Sequence, residues 1–141
     1  MIKIKVYSIG KTKEEWLESA LNLYESRLRP FLSFEWILAK NEEQLKQFLE
    51  KQTNFICLDP QGKQYSSEEF SAFLLKSIEE AHSRLCFVIG GAEGIPAVLK
   101  SKAKHLLCLS KMTFTHQMAR LILVEQIYRA LEIEKKSSYH K

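Results

Sequence analysis

Apolar residues along the chain repeat with two different periods, and segments of the two kinds alternate. The first segment, "IKIKVYSIG", alternates apolar and polar positions and ends at Gly10, which predicts a β-strand. The next segment repeats its apolar residues at helical spacing as far as Pro30, which predicts a helix. Thr12 and Glu15 are expected to form a capping box at the start of this helix.

The same alternation continues along the rest of the chain. The segments "FLSFEWILA", "NFICLD", "RLCFVI" and "HLLCLS" predict four further strands, and the second of these is expected to close in the turn "DPQGK". Between the strands we expect a short helix capped by Asn41, a helix opened by a Ser66–Glu69 capping box, and a short helix in "IPAVLKSKA". These elements predict a regular succession of strands and helices.

The third, fourth and fifth strands are almost continuously apolar, which is typical of a parallel sheet covered by helices on both faces. We therefore predict an α/β fold, a mostly parallel sheet flanked by helices, in a single domain over residues 1–141. Three polar or glycine-rich segments follow these strands: Leu58-Asp59 with its turn, Gly90-Gly91, and the run that begins at Leu109. If the strands are neighbours, the three segments share the rim where α/β proteins bind ligands.

The double glycine in "RLCFVIGGAEGIP" has two interpretations. Glycine allows a ligand to approach the backbone closely, and it also allows a tight turn that binds nothing. The segment lacks the lysine and hydroxyl of a P-loop and the spacing of a dinucleotide fingerprint, and its match to a nucleic-acid GxxG clamp is weak. A ligand held by backbone groups and apolar walls fits better than a phosphate.

Composition limits the function classes only loosely. The chain has 141 residues, 45% of them hydrophobic, and a formal charge of +4, which permits a polyanionic partner without requiring one. The three cysteines lie in apolar runs without CxxC spacing, so we expect core residues and neither disulfides nor a metal site. No signal peptide or membrane-spanning run is recognisable, so we expect a cytoplasmic protein.

The last helix is expected to begin near Thr115 or His116 and to run to about Ile133. It is apolar on more than one face, which favours burial against both the sheet and a partner subunit, and hence a homodimer. The alternative is a central helix in a monomer. Glu125 and Arg129 are spaced for an ion pair within the helix, and His116 is a capping or packing residue or else a catalytic one.

Several segments of the chain together carry a specific family resemblance. The segments "FVIGGAEGI", "LSKMTFTHQMARLILVEQIYRALEI" and the terminal "SYHK" resemble the ribosomal RNA large subunit methyltransferase H family, which belongs to the SPOUT class. "IGK" and "LDPQGKQYSSEEF" fit as well, so the resemblance spans the chain. It implies a trefoil knot in the C-terminal part, a feature that is rare among folds, and a homodimer.

The resemblance also implies a reaction. The methyl donor would be S-adenosyl-L-methionine without a metal, and the product would carry a methyl group on N3 of a pseudouridine in helix 69 of 23S rRNA, on the assembled ribosome. The cofactor-binding positions carried over from the family begin with two single residues and continue in one run. They are Leu58, Gly90, Leu109, Ser110, Lys111, Met112, Thr113 and Phe114.

Three further residues are candidates for the catalytic step. An imide nitrogen must lose its proton during methylation, so a base or a group that stabilises the anion is expected. Arg129, Tyr139 and His140 are the candidates, with Tyr139 and His140 closing over the cofactor of the other subunit. Five lysines are candidate phosphate contacts. They are Lys11, Lys13, Lys135, Lys136 and Lys141.

Two positions depart from the family, in which proline is frequent at position 115 and proline or serine at position 92. Here they are Thr115 and Ala92. Two other classes of function remain open on the residues alone. One is an RNA-binding or ribosome-assembly module without catalytic activity, which would not bind S-adenosylmethionine, and the other is a nucleotide-binding α/β enzyme.

Overall fold

A computed structural model describes residues 1–139. Five strands and five helices alternate along these residues. They are β1 (Ile2–Ile9), α1 (Glu15–Leu28), β2 (Leu32–Ala39), α2 (Glu42–Leu49), β3 (Phe55–Gln64), α3 (Ser67–Glu80), β4 (Arg84–Ile89), α4 (Ala97–Lys102), β5 (His105–Cys108) and α5 (His116–Glu134). All strand pairs are parallel, and the order across the sheet is β2-β1-β4-β3-β5. The predicted α/β fold is confirmed.

Helices cover both faces of the sheet, as the apolar runs predict. Side chains of α1, α3 and α5 pack with Val6 and Phe87 on one face, and side chains of α2 and α4 pack with Tyr7 and Val88 on the other. Successive residues of β1 and β4 thus enter opposite cores, because side chains alternate along a strand. The three cysteines are buried and unpaired, which confirms their assignment to the core.

The predicted caps hold for two helices, and a third helix has a cap that the sequence pattern does not predict. Asn41 accepts a hydrogen bond from the Gln44 amide at 2.9 Å, and Ser66 and Glu69 form the reciprocal capping box. Thr115 caps α5 by accepting from the Met118 amide at 3.1 Å. A threonine where the family often has proline therefore gives the last helix a side-chain cap.

The capping box expected from Thr12 and Glu15 is wrong. Helix α1 begins only at Glu15, and its capping residue, Glu14, makes no side-chain cap. The Thr12 hydroxyl instead accepts a hydrogen bond from Nη1 of Arg120 at 3.0 Å. A long-range polar contact has taken the side chain that the local pattern assigned to the helix.

The turn expected after the third strand is also wrong. Strand β3 continues to Gln64, with a register shift between Leu58 and Lys63 where both pair with Leu107. Residues 59–62 bulge out of the ladder between these two pairings. A Cβ on Gly62 would lie 2.5 Å from the Leu106 carbonyl carbon, so the backbones of β3 and β5 touch here.

Within residues 1–139, no helix has the length and apolarity needed to cross a bilayer. The homodimer and the trefoil knot stay predictions.

Replacing Ser66 by alanine removes the cap of α3 and leaves the Glu69 amide without its acceptor. We expect the free energy of unfolding to fall by about 1 kcal/mol. Ser19→Ala is the control, since Ser19 is exposed within α1 and alanine favours helix. Urea unfolding at one fixed protein concentration measures both changes, and equal midpoints for the two variants would contradict the capping assignment.

Candidate active site

The carboxyl ends of β4, β3 and β5 meet at one edge of the sheet, because these strands are neighbours and parallel. A cavity of about 480 Å³ opens there, which is within the range of small-molecule sites. The three segments that follow these strands all line it, as the sequence predicts. The first turns of α5 close the remaining side with His116 and Ala119.

Seven of the eight sequence-predicted cofactor residues line this cavity. They are Leu58, Gly90, Leu109, Ser110, Met112, Thr113 and Phe114. Lys111 is exposed and is not part of the lining. The structure thus brings together residues up to 56 positions apart in the chain, namely Leu58 and Phe114.

The loop between β5 and α5 forms the apolar wall of the cavity. The Ser110 hydroxyl accepts from the Met112 amide at 3.0 Å, which folds the loop into a tight turn. Met112 is 77% exposed and Phe114 is 38% exposed, so both apolar side chains are free to contact a ligand. This wall has the character of a site for a flat apolar group such as a purine ring.

Contacts within the chain explain why a glycine is needed at position 90, without any ligand. A Cβ on Gly90 would lie 2.5 Å from the carbonyl carbon of Gly94, so Gly90 makes room for the chain itself. The Gly94 amide donates to the Gly91 carbonyl at 3.0 Å, and Gly94 adopts φ +83°. The close contact with Gly94 explains a glycine at position 90, and the interpretation that the double glycine also lets a ligand lie on the backbone stays a prediction. These glycines form a tight turn, and that turn lines the cavity.

A buried carboxylate also lines the cavity. Asp59 is 7% exposed, accepts from the Gln61 amide at 2.9 Å, and pairs with Lys100 Nζ at 3.3 Å. Burial and the neighbouring Asp59 raise the pKa of the Cys57 thiol to about 12, so this thiol stays protonated. The sequence indicated Asp59 by its place after a buried strand, but nothing in the sequence indicated Lys100.

His116 lies at the cavity with its pKa lowered, first by burial and then by the positive charges of Arg120 and Lys13. Its imidazole is therefore favoured in the neutral form, which can both accept and donate a hydrogen bond. A ligand in the cavity would meet an uncharged ring at this end of α5.

Arg129 and Tyr139 lie elsewhere on the same chain. Arg129 pairs with Glu125 at 3.3 Å, which confirms the helix ion pair, and its guanidinium lies over the Tyr139 ring at 4.9 Å. The Tyr139 hydroxyl donates to Glu125 at 2.8 Å, and burial raises its pKa, followed by that hydrogen bond. Neither residue lines the cavity. His140 lies outside the described residues.

Comparisons with known proteins place the chain in a family. Residues 2–140 match the family model described as "Predicted SPOUT methyltransferase". The chain belongs to the SPOUT methyltransferase family. The prediction that it is a methyltransferase of this class is confirmed.

Individual relatives of this SPOUT methyltransferase carry the name of the family that the sequence resembles. It is 52% identical over 141 residues to "Ribosomal RNA large subunit methyltransferase H" of Protochlamydia amoebophila, covering 100% of both chains. It is 40% identical over 152 residues to the protein of that name from Dictyoglomus thermophilum, covering 99% of each. The resemblance to this family is therefore confirmed.

Solved structures at low identity share the fold of this SPOUT methyltransferase. A probable methylase family protein from Haemophilus influenzae superposes with a TM-score of 0.60 at 9% identity, over 98% of this chain and 70% of the other. A probable methyltransferase from Bordetella pertussis gives 0.57 at 7% identity, over 92% and 95%. At such identities the likeness concerns the fold alone.

Within residues 1–139, no set of three or more His, Cys, Asp and Glu side chains is arranged to hold a metal ion.

Replacement by alanine is expected to affect thermal stability differently at the two glycines that follow β4. Gly90→Ala forces a Cβ into the Gly94 backbone, so the thermal midpoint is expected to fall by about 5 °C or more. Gly91→Ala is the matched control, because its Cβ would meet Ile9 at an ordinary 3.6 Å. Its midpoint is expected to stay unchanged or to rise slightly. A thermal scan of both variants measures this, and equal midpoints would refute the close approach.

Proposed function

We propose that this SPOUT methyltransferase transfers a methyl group from S-adenosylmethionine to N3 of a pseudouridine in helix 69 of 23S rRNA, on the assembled ribosome. The observation that carries the proposal is the 52% identity, over both complete chains, with a ribosomal RNA large subunit methyltransferase H. The proposal includes a cytoplasmic location, a homodimer and a C-terminal trefoil knot, as the family resemblance implies.

The cavity residues fit S-adenosylmethionine in their chemistry. Leu58, Leu109 and Phe114 would enclose the adenine, and the backbone around Gly90 would face the rest of the molecule. The carboxylate of Asp59, at the inner side of the cavity, suits a group with donors, such as a ribose or an ammonium. The glycine turn that lines the cavity lacks the lysine and hydroxyl of a P-loop and the spacing of a dinucleotide fingerprint, which disfavours the nucleotide-binding enzyme as the alternative.

The chemistry asks little of the protein beyond positioning. When bound, S-adenosylmethionine supplies an activated methyl group on a positively charged sulfur. The chain must hold the target base in line with that methyl group and accept or stabilise the charge left when N3 loses its proton. A neutral His116 at the cavity is able to accept a proton, and Arg129 is able to stabilise an anion.

A second copy of the chain would supply the groups that one chain keeps away from its own cavity. Arg129 lies ten residues beyond Ala119 along α5, which corresponds to about 15 Å at the helical rise. Met118, Ile122, Glu125 and Arg129 form one stripe of α5, and all four are only partly buried. A partner helix covering this stripe would bury its apolar part and bring the other subunit's Arg129 and Tyr139 toward the cavity.

The function is tested in two steps. Calorimetric titration with S-adenosylmethionine is expected to show one site per chain, with affinity reduced about tenfold or more in Phe114→Ala, which loses the apolar wall. Val98→Ala, also exposed and apolar but outside the cavity lining, is the control. Methyl transfer from labelled donor to ribosomes that lack the modification is then expected, with mass spectrometry locating the label on N3 in helix 69.

Two outcomes would overturn this proposal. A protein that binds ribosomes but no S-adenosylmethionine would be an assembly module. A protein that binds the donor and labels another nucleotide would be a methyltransferase with a different target.

The tail gives a separate prediction. Deleting residues 138–141 removes Tyr139 and His140, so methyl transfer is expected to fall by about 100-fold or more, while donor affinity changes less than about threefold. Glu134→Gln, exposed at the end of α5, is the control and should transfer normally. Tyr139→Phe separates the hydroxyl from the ring that packs on Tyr128 at 4.8 Å. Full transfer by the truncated protein would remove the tail from the mechanism.

A further inference from the structure

A buried arginine connects the last helix to the loop between β1 and α1. The Arg120 side chain is 0% exposed, and no carboxylate among residues 1–139 pairs with it. Its donors instead reach the Ser8 hydroxyl at 2.9 Å, the Thr12 hydroxyl at 3.0 Å, and the carbonyls of Ile9 and Gly10. Burying a guanidinium against neutral oxygens alone costs free energy. The loop conformation that Arg120 holds therefore calls for an explanation.

Arg120 contacts a short loop, residues 10–13, which we call the β1–α1 loop. Arg120 Nη2 donates to the Gly10 carbonyl at 2.6 Å, and Gly10 itself adopts φ +83°. Gln117, one turn earlier on α5, donates to the Lys11 carbonyl at 2.8 Å and accepts from the Lys13 amide at 3.4 Å. Helix α5 therefore fixes the backbone of this loop at several consecutive residues.

The β1–α1 loop lies beside the cavity. His116 and Ala119, which line the cavity, belong to the same turns of α5 as Gln117 and Arg120. The carboxyl end of β1 is also next to that of β4, since the two strands pair in parallel from Lys3 to Ser8. If an RNA base reached a methyl donor held in the cavity, the neighbouring RNA backbone would lie close to this loop.

The side chains that the loop presents are positively charged. Lys11 and Lys13 are exposed, and neither forms an ion pair within the described part of the chain. Glu14 and Glu15 follow them, but they belong to the start of α1, where the helix dipole favours carboxylates. Of the other candidate lysines, Lys135 is placed differently, because it pairs with Glu132 and lies over Phe31 at the far end of α5. Lys141 lies outside the described residues.

We propose that the β1–α1 loop is a preorganised contact for the phosphate backbone of the RNA substrate. Lys11 and Lys13 are the contacting side chains, and Arg120 and Gln117 are positioning residues. Preorganisation lowers the entropy lost on binding, and phosphate contacts by lysine fix register without reading sequence. The proposal rests on the proposed function, because that function supplies the RNA.

The test compares two double variants that remove the same charge. Lys11→Gln/Lys13→Gln changes the loop, and Lys3→Gln/Lys51→Gln changes exposed lysines near the amino ends of β1 and β3, at the opposite edge of the sheet. Binding to purified ribosomes is measured by co-sedimentation over a range of salt concentrations. The loop variant is expected to bind about tenfold more weakly, with a log–log salt slope smaller by about two, while the control changes less than twofold.

Kinetics separate positioning from catalysis. In the loop variant KM for ribosomes is expected to rise with donor affinity unchanged. The change in kcat is expected to be smaller than the change in KM and to come from the loss of the Lys13 charge, because that charge lowers the pKa of His116. Gln117→Ala, which frees the Lys11 carbonyl, should show a smaller rise of the same kind, with faster motion of the Lys11 and Thr12 amides in NMR relaxation. Gln117 is only partly buried, so this variant tests positioning even if substitution of Arg120 prevents folding.

The outcomes distinguish this proposal from the proposed function. Equal ribosome binding by the two double variants overturns the loop contact even if methyl transfer is normal. Loss of ribosome binding without loss of binding to protein-free 23S rRNA also overturns it, because the partner would then be a ribosomal protein. A wild-type protein that transfers no methyl group, yet binds rRNA through these lysines, refutes the proposed function and supports the loop contact.

Discussion

The position of β3 between β4 and β5 is the constraint on which the rest of the structure depends. Strand β3 satisfies its backbone groups by pairing with β4 on one side and β5 on the other, and parallel pairing brings the carboxyl ends of the three strands to one edge. The segments that line the cavity leave the sheet at that edge, apart from α5 and Lys100 of α4. Strand order therefore sets the position of the site, and the side chains that line it determine its chemistry.

Helix α5 links this site to the rest of the molecule. Its first turns supply His116 to the cavity and hold the β1–α1 loop through Gln117 and Arg120. Its later turns carry Arg129 and the packing site of Tyr139, well away from that cavity. One helix therefore serves two places, which is the arrangement expected if two copies complete each other's sites.

Much of this could be predicted from the sequence where local pattern and tertiary structure agree. Apolar runs gave the strands, and the rim was predicted because parallel strands end together. The caps at Asn41 and Ser66 are local, so they were predictable. The failures share one cause, which is contact between distant segments. The local pattern predicts a cap at Thr12, but that hydroxyl binds Arg120, which lies 108 residues away. The pattern predicts a turn at "DPQGK", but this segment belongs to β3, and the pairing of β3 with β5 is not visible locally.

Gly90 shows what kind of surface one side of the cavity is. There one stretch of main chain rests directly on another, and a single carbon atom on this glycine would separate them. This side is therefore made of backbone, whose shape does not change when side chains are exchanged. Ligand preference would then change through the side chains that line the rest of the cavity, such as Asp59 and Phe114. Exchanging these side chains should reshape the cavity without moving the main chain at Gly90.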